Sequence, residues 1–198
     1  MAAANRGEPV HSGKDAISVP DAAEALRQAQ VFLSDVTGPP DSDDEQQRLT
    51  STLHALDHAS RMAEAASGKI DFGTVRCGPE DTRAGQLCAD AMRSAASVAE
   101  EVEGLTGIAQ SARTTPVSRG VNVAPGAAMS PEEALAQLKR YASALVELQP
   151  SHRSSTLGAV ANGALTADAA IVRVETVRSL EALAHHAWRS AAHLVDLE

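Results

Sequence analysis

Apolar residues recur every three or four positions over five stretches of this chain, and no segment alternates β-branched with polar residues over a sustained run. The pattern predicts helices throughout. Ser18-Val19-Pro20-Asp21 opens the first, with Pro20 in the first turn where its missing N–H costs nothing, and Gly38-Pro39-Pro40 stops it after about Thr37. The second begins at a Ser42-x-x-Glu45 capping box, carries Asp43 and Asp44 where the helix dipole favours anions, and reaches about Ser67. Residues 68–80, with Gly68, Gly73, Gly78 and Pro79, read as a loop before a third helix over 81–112. Gly85, Gly104 and Gly107 each weaken that helix by roughly 1 kcal/mol relative to Ala unless packing requires them. A fourth helix starts at Ser130-Pro131-Glu132-Glu133, with proline at the first position and a second Ser-x-x-Glu box, and Pro150 is expected to kink or split it. Thr166, after Asn162-Gly163, caps a last helix running to about Asp196. The expectation is an all-α antiparallel bundle of about five long helices, with a tail at 1–17, halves over 18–112 and 130–198, and a linker at 113–129.

Helical spacing also predicts which faces are buried. On the second helix Leu49, Leu53, Leu56, Ser60 and Ala63 share one stripe, Asp57 flanks it with Arg61 and Glu64 further along, and His54 and His58 point away. On the last helix Leu180, Leu183, Ala187, Ala191 and Leu194 form the stripe. There Arg178, Glu181, His185 and Arg189 share a polar stripe, and His186 and His193 share another edge.

Composition narrows the packing. Apolar residues make up 43% of the 198 positions and aromatics only 2%, so Ala, Leu and Val must fill the core, which suits closely approaching helices better than a sheet. A net charge of -9 argues against nucleic acid and against direct adhesion to an anionic membrane. No apolar run approaches the roughly 20 residues that cross a bilayer, so no direct membrane insertion is expected. The first eighteen residues lack the apolar segment of a signal peptide, which makes the cytoplasm the default location. Cys77 and Cys88 are accordingly read as reduced thiols. Ala-rich faces on long helices would suit a homodimer.

One short pattern occurs twice, in the second and last helices: Asp57-His58-Ala59-Ser60-Arg61-Met62-Ala63 and His185-His186-Ala187-Trp188-Arg189-Ser190-Ala191. Both read (Asp or His)-His-Ala-x-Arg-x-Ala, which suggests two related helical halves around a recurring polar face. The plain reading is a solvated face laced with i,i+4 pairs such as Asp57 with Arg61 and Glu181 with His185, each worth ~0.2–0.5 kcal/mol. Five of the seven histidines nevertheless lie in or beside the two copies, and imidazole with carboxylate at i,i+4 can face one cation. Glu181 with His185 is one such pair, His54 with His58 another, and neither completes a zinc or di-iron signature. Arg61, Arg178 and Arg189 could receive phosphate through charge-assisted bonds. The chain has no Gly-rich phosphate loop and no nucleophile elbow, and the lone Trp188 reads as a packing residue, so a non-enzymatic role is expected.

The two copies resemble the paired signature of PhoU-like proteins, regulators of bacterial phosphate uptake in which two similar helical halves each carry Glu-x-x-x-Asp-His-Ala. The stretches from Leu53 to His58 and from Leu180 to Arg189 are still more similar to the cytoplasmic PhoU-like domain of bacterial sodium/phosphate symporter-family proteins. His152-Arg153-Ser154-Ser155-Thr156-Leu157 followed by Ala161-Asn162-Gly163 points to the same subgroup. The resemblance spans roughly residues 20–195 through short motifs. It implies a phosphate-responsive adapter at the inner face of the membrane, contacting a phosphate transporter or its sensor kinase, with a divalent or iron metal ion as the implied cofactor. In the first copy Leu53 stands where the family has an acid, and in the second His185 replaces Asp, so Asp57, Glu181 and His185 are the metal candidates that remain. His54, His58, Arg61, His186 and Arg189 complete the motif set. Two other functions fit the composition. One is a histidine phosphotransfer bundle using His54, although Asp57 would add repulsion to an incoming phosphoryl group. The other is a helical interaction domain without a ligand.

Overall fold

The computed structural model describes residues 18–35, 40–68, 70, 73, 75, 77–111 and 130–195. The described residues form five α-helices and no strand: α1 (Val19–Asp35), α2 (Asp43–Ser67), α3 (Pro79–Ser111), α4 (Pro131–Ala161) and α5 (Ala167–Val195). The expected tail at 1–17, the linker at 113–129 and the expected helix ends at Thr37, Ala112 and Asp196 lie outside the described residues.

The helix starts follow the capping chemistry. Ser130 Oγ accepts the Glu133 N–H at 3.2 Å and the Glu133 carboxylate accepts the Ser130 N–H at 3.2 Å, which completes the predicted box at α4. At α2 only half of the box closes: Ser42 Oγ accepts the Glu45 N–H, but the Glu45 carboxylate reaches one residue further back, to the Asp41 N–H at 2.8 Å. Thr166 Oγ1 accepts the Ala169 N–H at 3.3 Å and caps α5. Between α4 and α5, Gly163 takes φ of 71° while the Ala164 N–H bonds back to the Ala159 carbonyl at 2.9 Å, a left-handed stop that favours glycine.

Two boundaries differ from expectation. α3 begins at Pro79, two residues early, because proline is well suited to a first helical position whose N–H needs no partner. α4 is not split at Pro150. Pro150 and Val146 both lie on its exposed side, where water can reach the carbonyl that loses its partner.

α5 is the axis of the bundle. It packs against α2, α3 and α4; α3 and α4 pack against each other; α1 touches α2 alone. The main core therefore lies among α3, α4 and α5, where Leu138, Leu145, Val98, Val177 and Leu180 fill space between Ala84, Ala91, Ala142 and Ala184. Both expected halves contribute to it. Small residues let these helices approach, and the leucines supply the burial, at about 25 cal/mol per Å² of apolar area. Gly85 serves a close approach of another kind: a Cβ there would stand 2.2 Å from Val75 Cγ1, so the segment before α3 can lie across the helix only over glycine.

The α1–α2 layer is built differently. α2 buries only Ala55 and Ala63, and α1 buries no residue. The predicted α2 stripe is corrected accordingly: Leu53 is 47% exposed, and Leu49, Leu56 and Ser60 are only half-buried. The contact face is turned toward Ala55 and Ala63, because the α5 surface opposite admits a close approach at small residues; Ser190 Oγ donates to the Ala55 carbonyl at 3.0 Å. On α5, Leu180, Ala187 and Ala191 are buried as predicted, whereas Leu194 is exposed. No described helix is long and apolar enough to cross a membrane.

Candidate functional site

The rotation of α2 brings the two motif copies face to face. His58, expected to point away from the core, is half-buried, and its Nδ1 lies 3.1 Å from Nδ1 of His186 on α5. Around this pair the rings of three more histidines gather. His54 is exposed, as predicted, yet its ring centroid is 5.0 Å from that of His193; the His58 ring stacks on His193 at 5.7 Å and meets His185 edge-on at 6.4 Å. Five histidines thus line one seam between α2 and α5. An Nδ1 to Nδ1 contact requires one nitrogen to donate and the other to accept, so at most one of the two carries a proton there.

Electrostatics favour the neutral forms. Burial pushes the His58 imidazole below its ordinary range, His186 and Arg189 push it further, and Asp57 opposes them. His186 is depressed for the same first reason, then by His185 and Arg61, against Asp57 and Glu64. Two imidazolium ions cannot share a hydrogen bond, so protonation of the pair must separate the rings.

The other predicted residues spread outward from this seam. Asp57 and Arg61 form an ion pair at 2.9 Å with both side chains more than half exposed, the plain i,i+4 arrangement. Glu181 turns to the opposite neighbour, accepting from Gln149 Nε2 of α4 at 3.2 Å. His185 sits between His186 and Trp188, whose indole also carries Lys139 Nζ at 5.2 Å and the Arg189 guanidinium at 5.4 Å. Trp188 packs on the main core with part of its ring open to solvent. Among the described residues no three His, Cys, Asp or Glu side chains form a group that could hold a metal ion, and Asp57, Glu181 and His185 are not such a group. Asp57 belongs to α2 and Glu181 bonds to α4, helices that do not pack on one another. Cys77 is exposed and Cys88 is buried in α3, where burial pushes its thiol up to about 11.

A second polar cluster is not predicted by the motif pattern. Asp81 of α3 is 1% exposed and accepts from His152 Nε2 of α4 at 2.7 Å, while Arg173 of α5 grips the same carboxylate through Nη2 and through Nε at 3.3 Å. A carboxylate held by a guanidinium only accepts, which assigns the shared proton to His152 Nε2. Beside it Glu80 accepts from Ser155 Oγ. The three residues pin α3, α4 and α5 together at one end of the core. The signal for them was present: Asp81 falls in register with Ala84 and Cys88, His152 with Leu145 and Leu148, and Arg173 with Ala170 and Val177, each a polar residue on an apolar stripe.

Compared with protein-family models, with curated proteins and with solved structures, the chain matches none.

Proposed function

We propose that this chain is a PhoU-like, non-enzymatic regulatory domain that acts by protein contact on a phosphate transporter or its sensor kinase. The observation that carries the reading is the direct contact of the two motif copies, His58 to His186 at 3.1 Å. Two motifs that meet across a helix pair behave as one element, so a partner that engages either copy acts on both. The mixed polar surface around them, with Arg61, Glu64, Arg189 and the partly open Trp188, is the kind that partners use: an aromatic anchor with charged neighbours. The adapter works in the cytoplasm, recruited to the inner face of the membrane by its partner.

Affinity capture of the tagged chain from its own cells, grown in high and in low phosphate with membranes solubilised, tests the reading. Recovery of a phosphate transporter or its sensor kinase, varying with phosphate, is the expected result. Recovery of neither in both conditions overturns it. The exposure of His54 favours phosphotransfer as a second reading. Its mark is a phosphohistidine formed with acetyl phosphate or a kinase and lost in His54→Ala.

A further inference from the structure

Two cavities lie side by side along α4 and α5, of 460 and 420 Å³, and they meet at Arg153, Leu157, Val174 and Arg178. Beyond these shared residues the two linings differ. The first presents the side chains of Gln149, His152, Arg153, Ser154 and Arg178 and holds no carboxylate. The second is walled by Leu157, Val160, Ala170, Ile171 and Val174, with Glu175 as its one acid.

The two arginines are available to an anion. Arg27, Arg61, Arg93 and Arg173 each have a carboxylate partner, whereas Arg153 and Arg178 are exposed and form no ion pair with a described residue. In a chain of net charge -9 such a pair is a local positive spot, with Glu175 the one acid among the residues lining the two cavities. The apolar wall is equally unpartnered: Leu157 is 59% and Ile171 55% exposed at the mouth of the second cavity. Each volume falls within the range of about 300–1,000 Å³ usual for small-ligand sites, which in helical bundles lie between helices.

We infer that this groove binds a free single-chain amphiphile with an anionic head, the head at Arg153 and Arg178 in the first cavity and the hydrocarbon tail along Leu157, Val160 and Ile171 in the second. Glu175 enforces the orientation, since a head placed at its end would face a like charge. The inference stands apart from the regulatory reading: ligand binding without partner capture, or the reverse, separates the two.

Calorimetric titration of the full chain with dodecanoate below its micelle concentration tests the site. Dodecanol and dodecyltrimethylammonium supply the same tail with a neutral and a cationic head, and vesicles of anionic phospholipid supply the membrane form of the charge. The expected result is one saturable dodecanoate per chain, bound about tenfold or more tighter than either comparison amphiphile and weakened about tenfold or more in R153Q/R178Q. Ile171→Asp, a change at an exposed position that leaves the arginines in place, is expected to weaken binding as strongly. Absence of saturation, equal affinity for the cationic amphiphile, indifference to both variants, or binding to vesicles alone each overturns the inference. The comparison of head groups on the unaltered chain keeps the test decisive if a variant loses helical content.

Discussion

The α3–α4–α5 core and the α1–α2 layer are made from the same Ala-rich alphabet, and they are held in opposite ways. In the core, leucines at helical spacing fill the gaps left by facing alanines, and a buried Asp81–His152–Arg173 cluster bolts the three helices at one end. In the layer, α2 buries two alanines and meets α5 along a row of imidazoles, and α1 buries none of its own residues against α2. Leucines therefore hold the core, while the motif copies meet through small residues and imidazoles. A joint that rests on neutral imidazoles is loosened by protonation, which a leucine-filled contact does not feel.

The contrast breaks most sharply at the core. Asp81→Ala leaves the buried His152 and the half-buried Arg173 without their acceptor and is expected to cost about 3–5 kcal/mol, read as a shifted midpoint in urea denaturation. Next comes Gly85→Ala. Its methyl gains up to about 1 kcal/mol of helix propensity but collides with Val75, so a net loss within the overpacking range of about 1–3 kcal/mol is expected. Val75→Ala in the same chain should restore most of it, and a failure to do so would place the strain elsewhere.

Acid should sharpen the comparison rather than abolish the fold. His58 and His186 have depressed folded-state pKa values, so the folded chain binds fewer protons than the unfolded chain just below the ordinary histidine value. Stability from the seam is complete above about pH 6.5 and declines as the pH falls from there toward the depressed values. Asp57, Glu64, Arg61, Arg189, His185 and His193 surround the pair, and only the two carboxylates favour its protonation. Nitrogen-15 histidine spectra should show both rings neutral at pH values where free imidazole is already half charged. The smallest effect belongs to the exposed ion pair: Asp57→Ala, which removes the Arg61 contact, should change stability by less than about 1 kcal/mol in the same urea assay.

How much of this could be read from the chain varies with the reach of the interaction. The caps at Ser42, Ser130 and Thr166 are local, set by side chains three residues from their partners, and were legible. The face of α2 was not. Ala63 was read as buried and is, but the three leucines drew the stripe away from Ala55, and the α5 surface decides that Ala55 turns inward. The histidines were legible as a repeated pattern, but their meeting joins positions 128 residues apart. The Asp81 cluster spans separations of 71 and 92 residues and needed a rule for polar residues on buried stripes instead of a motif. Pro150 does not split α4, because on the exposed side of the helix water can reach the carbonyl that loses its partner.

The measurement that bears most directly on the histidine seam as the weak joint is amide hydrogen exchange followed by mass spectrometry at about pH 7.5 and about pH 5.5, corrected for intrinsic exchange. The account predicts that α1 and α2 lose protection at the lower pH while the α3–α4–α5 core keeps its own. It also predicts that the difference shrinks when His58 and His186 are both replaced by Gln. Loss of protection throughout the bundle at once, or no pH response in α2, would contradict it.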